Sequence, residues 1–409
     1  MAPHAINSIL GIHPMPSVCL YFQVHQPYRL RPFSFFEAGR SSNYFDKRLN
    51  SEIISRVAKK CYQPTGQSLL RAIRKHPGRF NLSFSISGTA IEQMRAWAPE
   101  ALDTFRDLAA TGQVELLAET YYHSLVSLTE DTAEFHKQVR DHIDLMACEF
   151  GITPRVFRNT ELIYSDSIAT KISELGLQGI FVEGIPEILG ARTPHAVYRN
   201  YGDTLSLLPR NAELSDLLGF KLRNGGPNNS ALKPDDFVRR IKEVAKSDDT
   251  IFIALDFETF GEHHQGDVGI VNFIEQAADL LLADSDWSFV TPSQAIASAS
   301  SRDELSFPTV RSWADEARDI TPWRGNEMQK AALKRLYSDE FRSLCDEDLW
   351  RYLQTSDHFY YMSNKGGPDG EVHSYFRPYE SPYDAFICYM NVLRGASAVS
   401  LLQQPRSLA

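Results

Sequence analysis

A chain of 409 residues that is 43% hydrophobic and 23% charged holds enough apolar material for a large packed core, which excludes a disordered polymer. Its 52 acids outnumber 42 lysines and arginines, for a net charge of −10, and this argues against nucleic acid or an anionic membrane as partner. No apolar run approaches the roughly 20 residues of a membrane span, the first ten residues lack the blocks of a secretion signal, and the five cysteines are scattered. A soluble cytoplasmic protein with reduced thiols is therefore expected.

Taken in order, Val18–Val24 is a strand run ending in His25-Gln-Pro-Tyr28, where Pro27 stops the strand. Tyr44–Gly66 is a long polar connection with partial helical periodicity, and Ser68–His76 continues helical. Phe80–Ser87 alternates as a second strand, Pro99–Ala110 is a helix opened by proline, and Gln113–Ala118 is a third strand leading into Glu119. A helix over Thr129–Gly151 closes at its glycine, and a short strand at Arg155–Arg158 delivers Asn159-Thr160-Glu161. The spacing then predicts a helix over Ser165–Gly176, strands at Gly179–Gly184 and Leu205–Leu208, a surface loop at Asn224–Ser230 and a helix over Pro234–Lys246.

Ile251–Leu255 has no polar alternation, as expected of a strand buried on both faces, and it runs directly into Asp256, Glu258, Glu262, His263 and His264, with Gly261 allowing a turn. Val268–Ala283 is helical, Trp287–Val290 is a strand, and Thr291-Pro-Ser-Gln opens another helix. This strand–helix alternation, repeated about seven times, points to a parallel barrel or doubly wound sheet. From Trp313 onward the pattern changes to three helices, Asn326–Cys345, Asp346–Met362 and Tyr379–Leu402, with Gly366–Gly370 as a loop between the last two.

Working residues of such sheets sit where strands end. Glu161 and Asp256 each end a strand, and two carboxylates flanking a bond are the minimum machinery for glycoside hydrolysis; equally, strand-end acids cap helices or bind a ribose. Glu258, two residues past Asp256, is its rival and is read as a supporting or substrate-binding acid. His25 lacks neighbouring ligands, and His263 and His264 point to opposite faces if extended, so no metal is expected. Asp357-His358 in Gln354–Met362 reads on its own as a helix cap with a neighbouring imidazole. Trp323 and the Tyr360–Tyr361 pair are stacking rings or core residues.

Together, His25-Gln-Pro, Gly112-Gln-Val-Glu-Leu116, Phe157-Arg-Asn-Thr-Glu161-Leu-Ile-Tyr, Leu255-Asp256-Phe-Glu-Thr-Phe-Gly-Glu-His-His and Ser356-Asp-His-Phe-Tyr-Tyr-Met resemble the five ordered motifs of glycoside hydrolase family 57, most like its α-amylase-type members. Ser85–Gln93 and Asp319–Asn326 are similar to segments of that group as well. The resemblance spans Val18 to Met362 and implies a (β/α)7 barrel over residues 1–300, followed by a helical region over 301–409 that packs on the barrel and completes the active site. It implies retaining chemistry on α-1,4-glucans such as starch, glycogen and maltooligosaccharides, without a cofactor. By motif, Glu161 is the nucleophile and Asp256 the general acid/base, while His25, Glu119, Asp357 and His358 line glucose subsites. Arg158, Glu258, His263 and Trp323 complete the expected substrate-binding set. Water as acceptor gives an amylase; a sugar hydroxyl gives a 4-α-glucanotransferase or branching enzyme. A metal-dependent polysaccharide deacetylase and a non-catalytic glycan-binding protein are the alternatives from other classes.

Overall fold

The computed structural model describes residues 15–222, 231–246, 249–263, 269–299 and 303–403. Ten strands are assigned among them: β1 (Ser17–Val24), β2 (Leu82–Ile86), β3 (Val114–Leu116), β4 (Val156–Phe157), β5 (Gly179–Glu183), β6 (Tyr198–Asn200), β7 (Ser206–Arg210), β8 (Thr250–Asp256), β9 (Ser288–Phe289) and β10 (Glu304–Leu305). One parallel run is β3-β2-β1-β8, and β4, β5 and β7 form a second. Two seams close them into a ring. At the first, Ala118 N donates to Val156 O at 2.9 Å and Arg158 N to Ala118 O at 2.8 Å; at the second, Asn211 N donates to Phe252 O at 2.7 Å. The result is a seven-stranded parallel barrel, β1-β2-β3-β4-β5-β7-β8, with β9 beside β1 and the β6–β10 pair outside β7.

The period of two along a strand sorts every side chain. Val18, Leu20, Phe22 and Val24 of β1, with Ile251, Ile253 and Leu255 of β8, face the surrounding helices. Cys19, Tyr21, Phe181, Leu208, Phe252 and Ala254 fill the lumen. Tyr21 and Phe181 stack there at 5.0 Å, and the Tyr21 hydroxyl is satisfied by Ser85 Oγ at 2.7 Å. The unalternating run of β8 thus serves two apolar faces. Continuing each inner row by two residues places Glu119, Arg158, Glu183, Arg210 and Asp256 as a polar layer at the C-terminal mouth, directly above the apolar plug.

The helices start where short polar side chains accept orphan backbone N–H groups. Asp131 caps Thr132–Phe150, Ser165 caps Asp166–Ser173, and Thr291 and Asn326 form capping boxes with Gln294 and Gln329. Gly151 ends its helix in the left-handed region at φ 69°. The polar connection after Tyr44 is largely helical: Lys47–Val57, one π turn at Ala58–Tyr62, then Gln63–Lys75.

The tail departs from its predicted layout. Asn326–Cys345 is broken at Ser338, which caps a separate helix Asp339–Leu344. Asp346–Met362 is likewise two pieces, Glu347–Tyr352 and Ser356–Tyr360. Gly366–Gly370, expected as a loop, enters a helix at Gly367–Phe376; Pro368 sits in its first turn, where a missing N–H costs nothing. The predicted Asn224–Ser230 loop, His264 and Val268 lie outside the described residues. Trp323, Phe341, Trp350 and Leu353 of this tail share one apolar cluster with Phe157, Ile180 and Val182 of the barrel. Among the described residues no helix is long and apolar enough to cross a membrane.

Candidate active site

The polar layer converges at the barrel mouth. Glu161 leaves β4 in a tight turn, with φ of 55° at Glu161 and 50° at Leu162, a left-handed geometry that residues with a Cβ adopt only when their surroundings impose it. Its Oε1 lies 3.0 Å from His123 Nε2, and its Oε2 accepts from the indole N–H of Trp313 at 2.7 Å. His123 Nδ1 is in turn 2.9 Å from Glu119 Oε2, so one imidazole bridges two carboxylates. Burial disfavours charge on all three, but the ion pairing prevails: His123 is pushed up to about 9, and Glu119 and Glu161 are both held below the ordinary glutamate value. The Arg158 guanidinium adds to the lowering of Glu161.

Asp256 behaves in the opposite way. It extends the inner row of β8, and burial together with the charge of Glu161 pushes its carboxyl up to about 7, against the pull of Arg158, His123 and Arg210. Glu258 is raised to about 8, first by burial and then by Asp256. It accepts from the Tyr62 hydroxyl and, at 3.3 Å, from the backbone N–H of His25. Tyr360 lies near enough to feel the charge of both Glu161 and Asp256. A mouth that holds one carboxyl ionised and its neighbour protonated near neutral pH can deliver a nucleophile and a proton to the same bond.

His25 stacks on His123 with ring centroids 4.0 Å apart, donates or accepts at Ser87 Oγ (2.8 Å), and meets Asp357 Oδ2 at 2.9 Å. Burial and the adjacent positive His123 lower His25, whereas Asp357 is also lowered because burial is outweighed by His25. The two shifts favour different charge states of His25. We favour a neutral imidazole hydrogen-bonded to the carboxylate, because a second cation stacked on His123 is electrostatically disfavoured.

Of the sequence-predicted residues, Glu161, Asp256, His25, Arg158, Glu258 and Asp357 are thus brought together. Three are placed otherwise than as subsite-lining groups. Glu119 is fully buried behind His123, so it orients that ring. His358, 2% exposed, faces away toward Tyr389, ring to ring at 5.5 Å, and burial lowers it to about 4. Trp323, 1% exposed, is a core residue behind Tyr360. His263 lies on the turn past β8, its ring 5.3 Å from that of Phe376. Two residues escaped the sequence reading. His123 sits four residues past Glu119 in the segment that follows β3, and a strand-end histidine was the available signal. Trp313 had none, since it reaches Glu161 from 152 residues away. Among the described residues no group of three or more His, Cys, Asp or Glu is arranged to hold a metal ion.

Comparison with known proteins places this geometry. The model of glycosyl hydrolase family 57 matches residues 19–308. A Methanocaldococcus jannaschii protein named "Putative alpha-amylase" is 37% identical over 393 residues, covering 91% of this chain and 82% of the relative. The branching enzyme of that family from Pyrococcus horikoshii superposes with a TM-score of 0.65 at 14% identity, over 89% of this chain and 87% of the other. The 4-alpha-glucanotransferase from Thermococcus litoralis gives 0.59 at 14% identity over 85% of this chain, which spans only 51% of that longer enzyme. The barrel and these matches agree: the chain belongs to glycosyl hydrolase family 57 and is an amylase-like enzyme of that family.

Proposed function

We propose that the protein is a retaining hydrolase of α-1,4-glucans acting by double displacement, with Glu161 as nucleophile and Asp256 as general acid/base. The observation that carries this reading is the opposite displacement of the two carboxyls within one mouth, Glu161 toward the ionised form and Asp256 up to about 7. A Glu161 oxygen attacks the anomeric carbon while the glycosidic C–O bond breaks and the Asp256 proton passes to the leaving oxygen. Asp256 then takes a proton from water, whose oxygen displaces Glu161 from the anomeric carbon and regenerates the free carboxylate. A sugar hydroxyl in place of water would make the same site a glucanotransferase or branching enzyme. Hydrolysis is favoured by the amylase name of the 37%-identical relative. Trp313, Tyr360 and Asp357 support a catalytic role for the region after residue 300, and the free cysteines support a reducing, cytoplasmic setting.

Maltoheptaose and soluble starch, with products separated and the first-formed anomer read by proton NMR, test the reading. The α-anomer is expected before mutarotation; a first-formed β-anomer overturns it. Glu161→Gln and Asp256→Asn should each lower turnover by about 10²–10⁴-fold or more while both variants still unfold cooperatively. Activity should survive dialysis against a strong chelator, and loss restored by zinc would favour a deacetylase instead.

A further inference from the structure

The nucleophile's second hydrogen bond comes from outside the barrel strands, and its donor is unusually constrained. Residues 311–313 run antiparallel to 161–164: Tyr164 N donates to Arg311 O and Arg311 N to Tyr164 O, both at 2.9 Å, and Trp313 N donates to Glu161 O at 3.2 Å. This ladder sets Trp313 opposite Glu161. Two buried guanidinium groups then lie over the indole, Arg158 at 5.0 Å and Arg210 at 5.5 Å from ring centroids. Arg318 donates to the Trp313 carbonyl, and Asp216 ties Arg318 (2.6 Å) to Arg210 (2.5 Å). Glu183 closes the set by pairing with Arg210 at 3.1 Å. Beyond the turn, Asp315 is pinned by Lys365 at 2.6 Å and by the buried His373 at 3.0 Å.

Such clamping exceeds what a wall residue needs. We propose that Trp313 is a positioning residue that fixes Oε2 of Glu161 for attack, the cluster of Glu183, Arg210, Asp216 and Arg318 serving to hold its N–H in place. Oε1 is engaged by the fully buried His123, whereas Oε2 meets the indole of the half-buried Trp313. A neutral donor there orients the oxygen while leaving it a free lone pair. The inference rests on Glu161 being the nucleophile. Groups facing that carboxylate are His123, Arg158, Asp256 and Tyr360 as well as Trp313, so its ionisation does not depend on the indole alone.

The full-length enzyme is tested with a 5-fluoro-maltosyl fluoride, whose glycosyl-enzyme turns over slowly enough to be located by peptide mass spectrometry. Wild type should carry the label on Glu161; label elsewhere overturns the nucleophile reading and this inference with it. Trp313→Phe keeps an aromatic ring beside the guanidinium groups and removes the N–H together with the pyrrole ring that bears it. It should label about 10- to 100-fold more slowly, with the acid limb of kcat/KM raised by roughly half to one pH unit and Tm nearly unchanged. Benzothienylalanine at 313, an isostere with sulfur for N–H, should reproduce both effects if the phenylalanine variant folds poorly. Wild-type labelling rates and an unmoved acid limb in an N–H-deficient variant would show that Trp313 is only structural.

Discussion

Each of the two carboxyls proposed for catalysis takes its protonation state from its neighbours, and His123 is the residue that most clearly divides them. Because it is held up to about 9, its contribution to stability is complete below its unfolded value near 6.5 and is lost as pH rises through about 9. Asp256 and Glu258, also raised, lose theirs through about 7 and about 8. All three have the same sign, so the urea midpoint should fall from pH 6 to pH 9.5, and less steeply in His123→Ala; a midpoint rising over that window would refute the assignment. Removing the imidazole also strands Glu119 and Glu161, at a cost of about 3–5 kcal/mol in unfolding free energy. The activity profile follows Asp256. Only its protonated form can serve as acid, so kcat/KM should decline as pH rises through about 7, and the residual activity of Asp256→Asn should lack that limb.

Among the elements, the π turn at Ala58–Tyr62 shows how a local irregularity serves the site. It aims the Tyr62 hydroxyl at Glu258 and the Cys61 thiol at the Phe257 carbonyl, 3.1 Å away, and presents the Lys60 carbonyl to the turn beyond β8. Gly261 fits there at φ 135°, where a Cβ would lie 2.2 Å from the Lys60 oxygen. Gly151 has a positive φ of 69° but nothing within 4 Å. Gly151→Ala should therefore cost only the strain, about 1–2 kcal/mol, and keep full activity. Gly261→Ala adds a clash with backbone and should cost about 2–4 kcal/mol while impairing turnover, because it displaces the segment bearing Glu258. Urea titrations and maltoheptaose assays of the two variants make the comparison; equal losses would mean that the Lys60 contact is unimportant.

For the whole molecule, the helical tail and the barrel are joined through one apolar core and through polar pairs between them. Trp323, Trp350 and Phe359 pack in the cluster that also contains Phe157 and Ile180, while Arg351 pairs with buried Glu134 at 2.9 Å and Asp357 meets His25. A chain truncated after Ala299 would expose that cluster and leave Glu134 unpaired. It should be inactive and lose its cooperative calorimetric transition. A truncated chain that still melts cooperatively and cleaves maltoheptaose would mean that the first 300 residues form an independent catalytic unit.

The ring of strands was legible in the sequence because apolar runs bounded by turn residues form strands almost irrespective of partner, and polar residues that end such runs emerge at the sheet's edge. Asp256 and Glu161 stood out as candidates by that rule, their roles following from the family resemblance, and helix starts such as those at Ser165 and Asn326 were legible from their capping side chains. Burial and long-range pairing obey no local rule. Trp313 and Glu161 are neighbours only because the barrel closes. Glu119 and His358 look like subsite residues in the sequence, yet the packing buries Glu119 behind His123 and turns His358 toward Tyr389. Gly366–Gly370 carries turn chemistry but enters a helix that packs against Tyr360 through His373, ring to ring at 3.8 Å. The physical reason is common to all three: a side chain's environment is set by whichever segments the fold packs around it, and one strand's periodicity says which face it takes but not what will meet it there.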